Sequence, residues 1–253
     1  MKNIYKQVIT PLCDLRNKPT DNTSLETQLL FGEKVKVLEK EKQWTFCENL
    51  NDNYKGWVKT ENLGQHENST HKVSKIITHL YSEPDIKSKI VSKLYFNSKI
   101  NIHSKTKSWC SILFNKKKVY IFRKHIKKIN ENFKDWVRIA LMFENSPYLW
   151  GGKSCNGIDC SGLVQISLNY CGIKFPRNTH EQINFSKSSI FSTKKIEKGS
   201  LIFWNGHVAI GINKNQIIHS NAFHLLVNKE NFSNACERIK NSYGTVKEIK
   251  KIF

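Results

Sequence analysis

The chain is poor in the residues that mark the common alternatives to a folded domain. Only 5 Pro and 12 Gly occur in 253 residues, beside 39% hydrophobic and 11% aromatic residues, which is not the composition of a disordered protein. No stretch approaches the roughly 20 consecutive apolar residues that span a bilayer, so no membrane partner is expected. The N-terminus, MKNIYKQVITPLCDLRNKP, lacks the apolar run of about 7–15 residues found in secretory signal peptides. The expected location is the cytoplasm. Arginine is scarce as well: Arg16, Arg123, Arg138, Arg177 and Arg238 are the Arg among 41 basic residues, set against 21 acidic ones for a net charge of +20. Base reading and bidentate phosphate contacts favour Arg. The lysines are scattered apart from short runs at 116–118, 127–128 and 194–195. No nucleic-acid partner is expected; the charge reads as a Lys-rich habit or as steering of an acidic substrate or polymer. The seven Cys, at 13, 47, 110, 155, 160, 171 and 236, form no CxxC pair, unlike a disulfide framework or a structural zinc site.

What is present first shows itself as a repeat. At an ungapped offset of 65 residues Val8 matches Val73, Leu15 Leu80, Pro19 Pro84, Leu29 Leu94, Val35 Ile100, Val37 Ile102, Trp44 Trp109, and Trp57 meets Phe122. Each copy alternates apolar and polar residues, as in Lys34–Leu38 and Lys99–Ile102, which is the pattern of half-buried strands. Units of about 60 residues with some five short strands predict small β-barrels. The pattern LRNKP, TQLLFGEKVKVL, W, YKGWV resembles bacterial SH3-like domains. Two in tandem are read, at 1–64 and 65–128, with QHENSTHK as a polar link between them. Asn97 in the second copy stands where Gly32 sits in the first. Beyond Lys128 the periodicity turns helical over Glu131–Glu144, and a third domain is read over 129–253.

That third region holds the residues suited to chemistry. Gly157-Ile-Asp-Cys-Ser-Gly162 precedes a helical run with Leu163, Ile166 and Tyr170 on one face, so Cys160 is expected at a helix N-terminus. There the positive end of the macrodipole favours a thiolate, the attacking form of cysteine. Position alone does not separate a nucleophile from a buried structural Cys. A base does. His207–Ile212 and Gln216–His219 flank Asn213-Lys-Asn215, a hairpin signal. With those three residues as the loop, Ile212 pairs with Gln216 and Ala209 with His219. His207 and His219 then share a face as diagonal neighbours about 7–8 Å apart at Cβ. His207 is then the general base, and His219 fixes its tautomer. The other seven His read as structural.

Together GIDCSGLVQ, the preceding PYLWGG, the following FPRNTHEQ, then KGSLIFW, GHVAIGI and IIHS resemble the NlpC-type cysteine peptidases of bacterial cell-wall metabolism. The resemblance implies a multidomain chain, two SH3-like β-barrels and an α+β papain-like catalytic domain, with Cys160 as nucleophile, His207 as base and acid, and His219 as orienting residue. Tandem SH3-like domains ahead of such a peptidase resemble the subgroup of γ-D-glutamyl-L-diamino-acid endopeptidases. That implies murein tripeptides or tetrapeptides as substrates, often with a free N-terminal L-Ala, in wall-peptide recycling. It also offers Tyr148 as an oxyanion or substrate contact, and Asp159 with Ser161 for the amine end. From the first barrel it offers Tyr54 and Glu26, which would close the cleft to all but short peptides; an ordinary barrel surface is the other reading of these two. Relatives usually carry Asp after the Arg of the PRD segment, where this chain has Asn178 and then Thr179, a change at the amine end. They usually read GDL where Gly199-Ser200-Leu201 stands, a structural difference. No metal or organic cofactor is called for. Other readings are a papain-like amidase or acyltransferase on a different acyl group, and a non-catalytic binder of wall fragments.

Overall fold

The computed structural model describes residues 4–131, 133–185, 188–189 and 195–252. Asn132 of the expected helix and Lys194 of the 194–195 run lie outside the described residues. The chain divides into two compact units, Met1–Glu131 and Asn132–Phe253.

In the first unit the alternating runs become two antiparallel barrels. Val8, Leu15, Leu29, Val35 and Val58 meet in the first core. Their repeat partners Val73, Leu80, Leu94 and Ile100 meet with Ile112 and Ile121 in the second. Each such burial contributes roughly 1.5–3 kcal/mol, so the repeat records the positions where that energy is gained. Gly32 and Asn97 both hold a left-handed backbone, φ 79° and 67°; Asn is among the few non-glycine residues that tolerate it. The second copy therefore keeps the turn despite losing the glycine. Gly32 has a further constraint, because a Cβ there would lie 2.0 Å from the Lys99 carbonyl oxygen. The two barrels meet at this point: Lys99 N–H donates to the Phe31 carbonyl at 2.8 Å, and Phe31 stacks on Phe114 with centroids 5.8 Å apart. The expected polar link is shorter than QHENSTHK. Gln65 ends the strand Leu63–Gln65, while His71 and Lys72 begin the strand His71–Val73 and are buried.

The second unit is an antiparallel sheet with helices against it. Five of the six described strands of that sheet run in the order Glu248–Lys251, Leu201–Trp204, His207–Gly211, Gln216–Asn221, Leu226–Asn231. Among the described residues four helices accompany them: α1 (Trp136–Leu141), α2 (Cys160–Tyr170), α3 (Thr179–Phe185) and α4 (Phe232–Tyr243). Helix α2 packs on the His207–Gly211 and Gln216–Asn221 strands. Ile202, Trp204, Ala209, Ile217, Phe232, Ala235 and Ile239 form a core between the sheet and α4. The helix expected over Glu131–Glu144 is shorter. Asp135 accepts the Arg138 N–H at 3.1 Å and so starts α1 at Trp136, since a capped end fixes where helical pairing begins. Phe133 lies before it and rests on Tyr170. Among the described residues no helix is long and apolar enough to cross a membrane.

Candidate active site

Cys160 is the first residue of α2 because Asp159 caps that helix. The Asp159 backbone is extended and its Oδ1 accepts the Gly162 N–H at 2.7 Å, satisfying one of the orphan donors of the first turn. Arg177 is 2% exposed and grips the same carboxylate with both terminal nitrogens, Nη1 to Oδ1 at 2.9 Å and Nη2 to Oδ2 at 2.6 Å. Its Nη1 also donates to Ser161 Oγ at 2.7 Å, and Ser161 donates in turn to Asp159 at 3.2 Å. Gly151 N–H donates to Asp159 Oδ2 at 2.8 Å. Asp159 and Ser161, expected at a substrate amine, are thus engaged in holding the nucleophile's helix and the Gly151 loop together. Any amine would share that carboxylate with Arg177.

The hairpin register is as read from the sequence: Ile210 faces Ile218 and Gly211 faces Ile217 across a loop at 213–215, with Ile212 N–H on the Gln216 carbonyl at 2.8 Å. His207 and His219 accordingly share a face, and His207 Nε2 lies 2.8 Å from His219 Nδ1. Both are buried, His219 completely. Ser220, next along the strand, donates to the Ile158 carbonyl at 2.6 Å. This ties the His219 strand to the segment just before Cys160. The Val208 backbone and the Thr179 side chain both favour the ionised Cys160 sulfur, so the nucleophile candidate sits next to the residue that follows His207 and to the first residue of α3.

The electrostatics differ from the sequence expectation in one respect. A thiolate was expected at the helix start, yet burial pushes the Cys160 thiol up to about 11, and the Asp159 charge adds to it. Val208, Thr179 and Arg177 pull the other way without prevailing. The reason is physical: Cys160 has little water around it, and the cap that opens the helix is itself an anion. Burial, with His219 and Arg238 adding to it, pulls His207 down to about 3. At neutral pH both partners are uncharged. A raised acid is protonated below its pKa, so Cys160 alkylation by iodoacetamide, followed on its own peptide by mass spectrometry, should climb about tenfold per pH unit from pH 7 to 9 without levelling. A plateau already reached below pH 7 would mean a resting thiolate.

Burial also raises the Tyr148 hydroxyl, and the next contribution comes from Cys160. It is therefore a protonated donor near the sulfur. The Tyr148 N–H donates to the Leu225 carbonyl at 2.8 Å. Asn178 precedes α3, where its carbonyl accepts the Gln182 N–H at 2.9 Å. Ser200, the variant position of the GDL segment, accepts the Glu197 N–H at 3.0 Å and is a turn residue. In the first unit Tyr54 donates its hydroxyl to Glu26 at 3.0 Å.

Sequence reasoning missed two groups. Glu230 accepts from His219 Nε2 at 2.6 Å and is held by Arg238 of α4. Tyr243 stacks on His207 at 5.8 Å between centroids. No motif flags either residue.

A cysteine at a helix start, packed against an antiparallel sheet that presents paired histidines, defines a papain-like cysteine peptidase. Residues 145–244 match the NlpC/P60 family model, 15–63 the bacterial dipeptidyl-peptidase SH3 domain, and 78–127 the bacterial SH3 domain. The chain is 26% identical over 235 residues to dipeptidyl-peptidase 6 of Lysinibacillus sphaericus, covering 84% of this chain and 86% of that one. It is 28% identical over 232 residues to the γ-D-glutamyl-L-lysine dipeptidyl-peptidase of Bacillus cereus, covering 79% and 68%. An NlpC/P60 family crystal structure from B. cereus superposes with a TM-score of 0.81 at 20% identity, covering 98% and 99%. The second unit thus carries an NlpC/P60 domain and the first two bacterial SH3 domains, and the chain is a cysteine peptidase of the cell-wall peptidase kind.

Proposed function

We propose that the chain hydrolyses the bond between γ-D-Glu and the following diamino acid in short murein peptides, tripeptides or tetrapeptides with a free N-terminal L-Ala, as a step of wall-peptide recycling. The observation that carries the chemistry is the 2.8 Å His207–His219 pair, with Cys160 at the start of α2 next to Val208, the residue that follows His207. The bond is supported by the name of the B. cereus relative and by the length over which the chain follows it. Cys160 is the nucleophile, and His207 takes its proton as the sulfur bonds to the γ-glutamyl carbonyl carbon. The Cys160 N–H and the Tyr148 hydroxyl receive the oxyanion. The C–N bond then breaks as His207 returns the proton to the leaving amine, and water releases the acyl group from its thioester.

The test is mass spectrometry of L-Ala-γ-D-Glu carrying either diaminopimelate or L-Lys, each run beside its N-acetylated form. Release of L-Ala-D-Glu from at least one free-amine peptide is expected. The acetylated forms should react at least about tenfold slower, the value of one lost charged hydrogen bond. If the folded protein turns over none of the four, this assignment is wrong.

A further inference from the structure

The two histidines can hold their protons in either direction along the 2.8 Å bond between them, and only one direction is useful. If His207 Nε2 carries the proton and donates to His219 Nδ1, the Nδ1 lone pair of His207 is free for a thiol proton. If His219 donates instead, His207 accepts at Nε2, its remaining proton sits on Nδ1, and the base is blocked. Nothing within the pair chooses between these, since neutral imidazole has one donor and one acceptor.

The choice is made one residue further out. In the hairpin of Gln216–Asn221 with Leu226–Asn231, Glu230 stands opposite Ile217 and is therefore a diagonal neighbour of His219 on the same face. Its Oε2 lies 2.6 Å from His219 Nε2. An ionised carboxylate accepts and cannot donate, so His219 must keep its proton on Nε2. Arg238, from α4, donates to both oxygens of Glu230, with Nε to Oε1 at 3.3 Å and Nη2 to Oε2. Burial alone would raise the Glu230 carboxyl, but the bonds from His219 and Arg238 outweigh it and bring it down to about 2. The Arg238 guanidinium also lies over the Phe223 ring, 4.5 Å from its centroid, which fixes its plane.

We infer that Glu230 and Arg238 are positioning residues that orient the protons of both histidines, so that His207 presents Nδ1 as the base. The order runs from Arg238 through Glu230 and His219 to His207, each donor facing an acceptor. This rests on the Cys160–His207 reading above, but its primary test does not use turnover. Long-range proton–nitrogen NMR of the 15N-labelled chain at pH 7 should show both His207 and His219 as Nε2–H tautomers. Glu230→Leu removes the acceptor and should leave His219 in a mixture of tautomers. Glu230→Gln can donate as well as accept, so it permits the reverse order and should give the same mixture in a side chain of equal size; it serves if the Leu variant does not fold. On whichever acyl substrate the chain accepts, Glu230→Gln should lower kcat by about 10–100-fold with KM unchanged, the usual cost of a lost orienting partner. Both histidines staying Nε2–H in Glu230→Gln, or a kcat within about twofold of wild type, would overturn the assignment. A proton order set by Glu230 in a chain that cleaves no murein peptide would leave this inference standing and remove only the substrate.

Discussion

Cys160→Ala is expected to lower kcat on a cleaved murein peptide by about 10⁴-fold or more, and to leave the melting temperature within about 4 °C of wild type. The size follows from the chemistry, because no thioester forms without the sulfur and the remaining groups can only orient water. The small thermal effect follows from the site. The thiol is uncharged at neutral pH, so its removal leaves a small space and no unpaired ion. His207→Ala should cost about as much, and the double variant no more than either single one, since nucleophile and base act as a unit. Isothermal titration should still detect the peptide binding to Cys160→Ala. Residual turnover above about 1% of wild type would exclude the covalent route, whatever the bond cleaved.

The largest effect on stability is expected at Arg177. Replacing it with Met would leave the Asp159 carboxylate buried without its guanidinium, at a cost of about 3–5 kcal/mol. The same change would remove the Arg177 bond to the Gly152 carbonyl and the grip that orients the carboxylate on which Gly151 and Gly162 both donate. Native-state hydrogen exchange of the α2 amides reads this directly. Adding Asp159→Asn to Arg177→Met should recover part of the loss, because the stranded charge is gone even though the clamp is not restored. A loss below about 1 kcal/mol in Arg177→Met would show that the clamp is not what holds the nucleophile in place.

These predictions draw on features of unequal visibility in the sequence. The histidine pair was legible because a loop of three residues, Asn213–Asn215, fixes the parity of the hairpin, and parity decides which side chains share a face. The barrels were legible because the repeat has no gap, so the core positions of Val8, Leu15, Leu29 and Val35 were each marked twice. Glu230 was not, because its place depends on a second hairpin whose turn includes Ala222, Phe223, His224 and Leu225, residues without a strong turn signal. Leu225 in that turn takes φ 53°, a conformation that sequence reasoning does not assign to leucine. The Asp159–Arg177 grip joins residues 18 apart that share no helix or strand, since α2 ends at Tyr170. The protonation of Cys160 was misread because helix position can be seen in a sequence, whereas the water lost around the sulfur depends on segments packed from elsewhere in the chain.

That protonation reaches beyond the hydrolytic step. Peroxide, like an alkylating agent, reacts with thiolate far faster than with thiol, and the slide from sulfenic to sulfinic acid ends a cysteine enzyme's working life. A nucleophile stored as a buried neutral thiol exposes almost none of the vulnerable form between turnovers. The desolvation that raises the Cys160 thiol thus also favours the form less reactive toward oxidants.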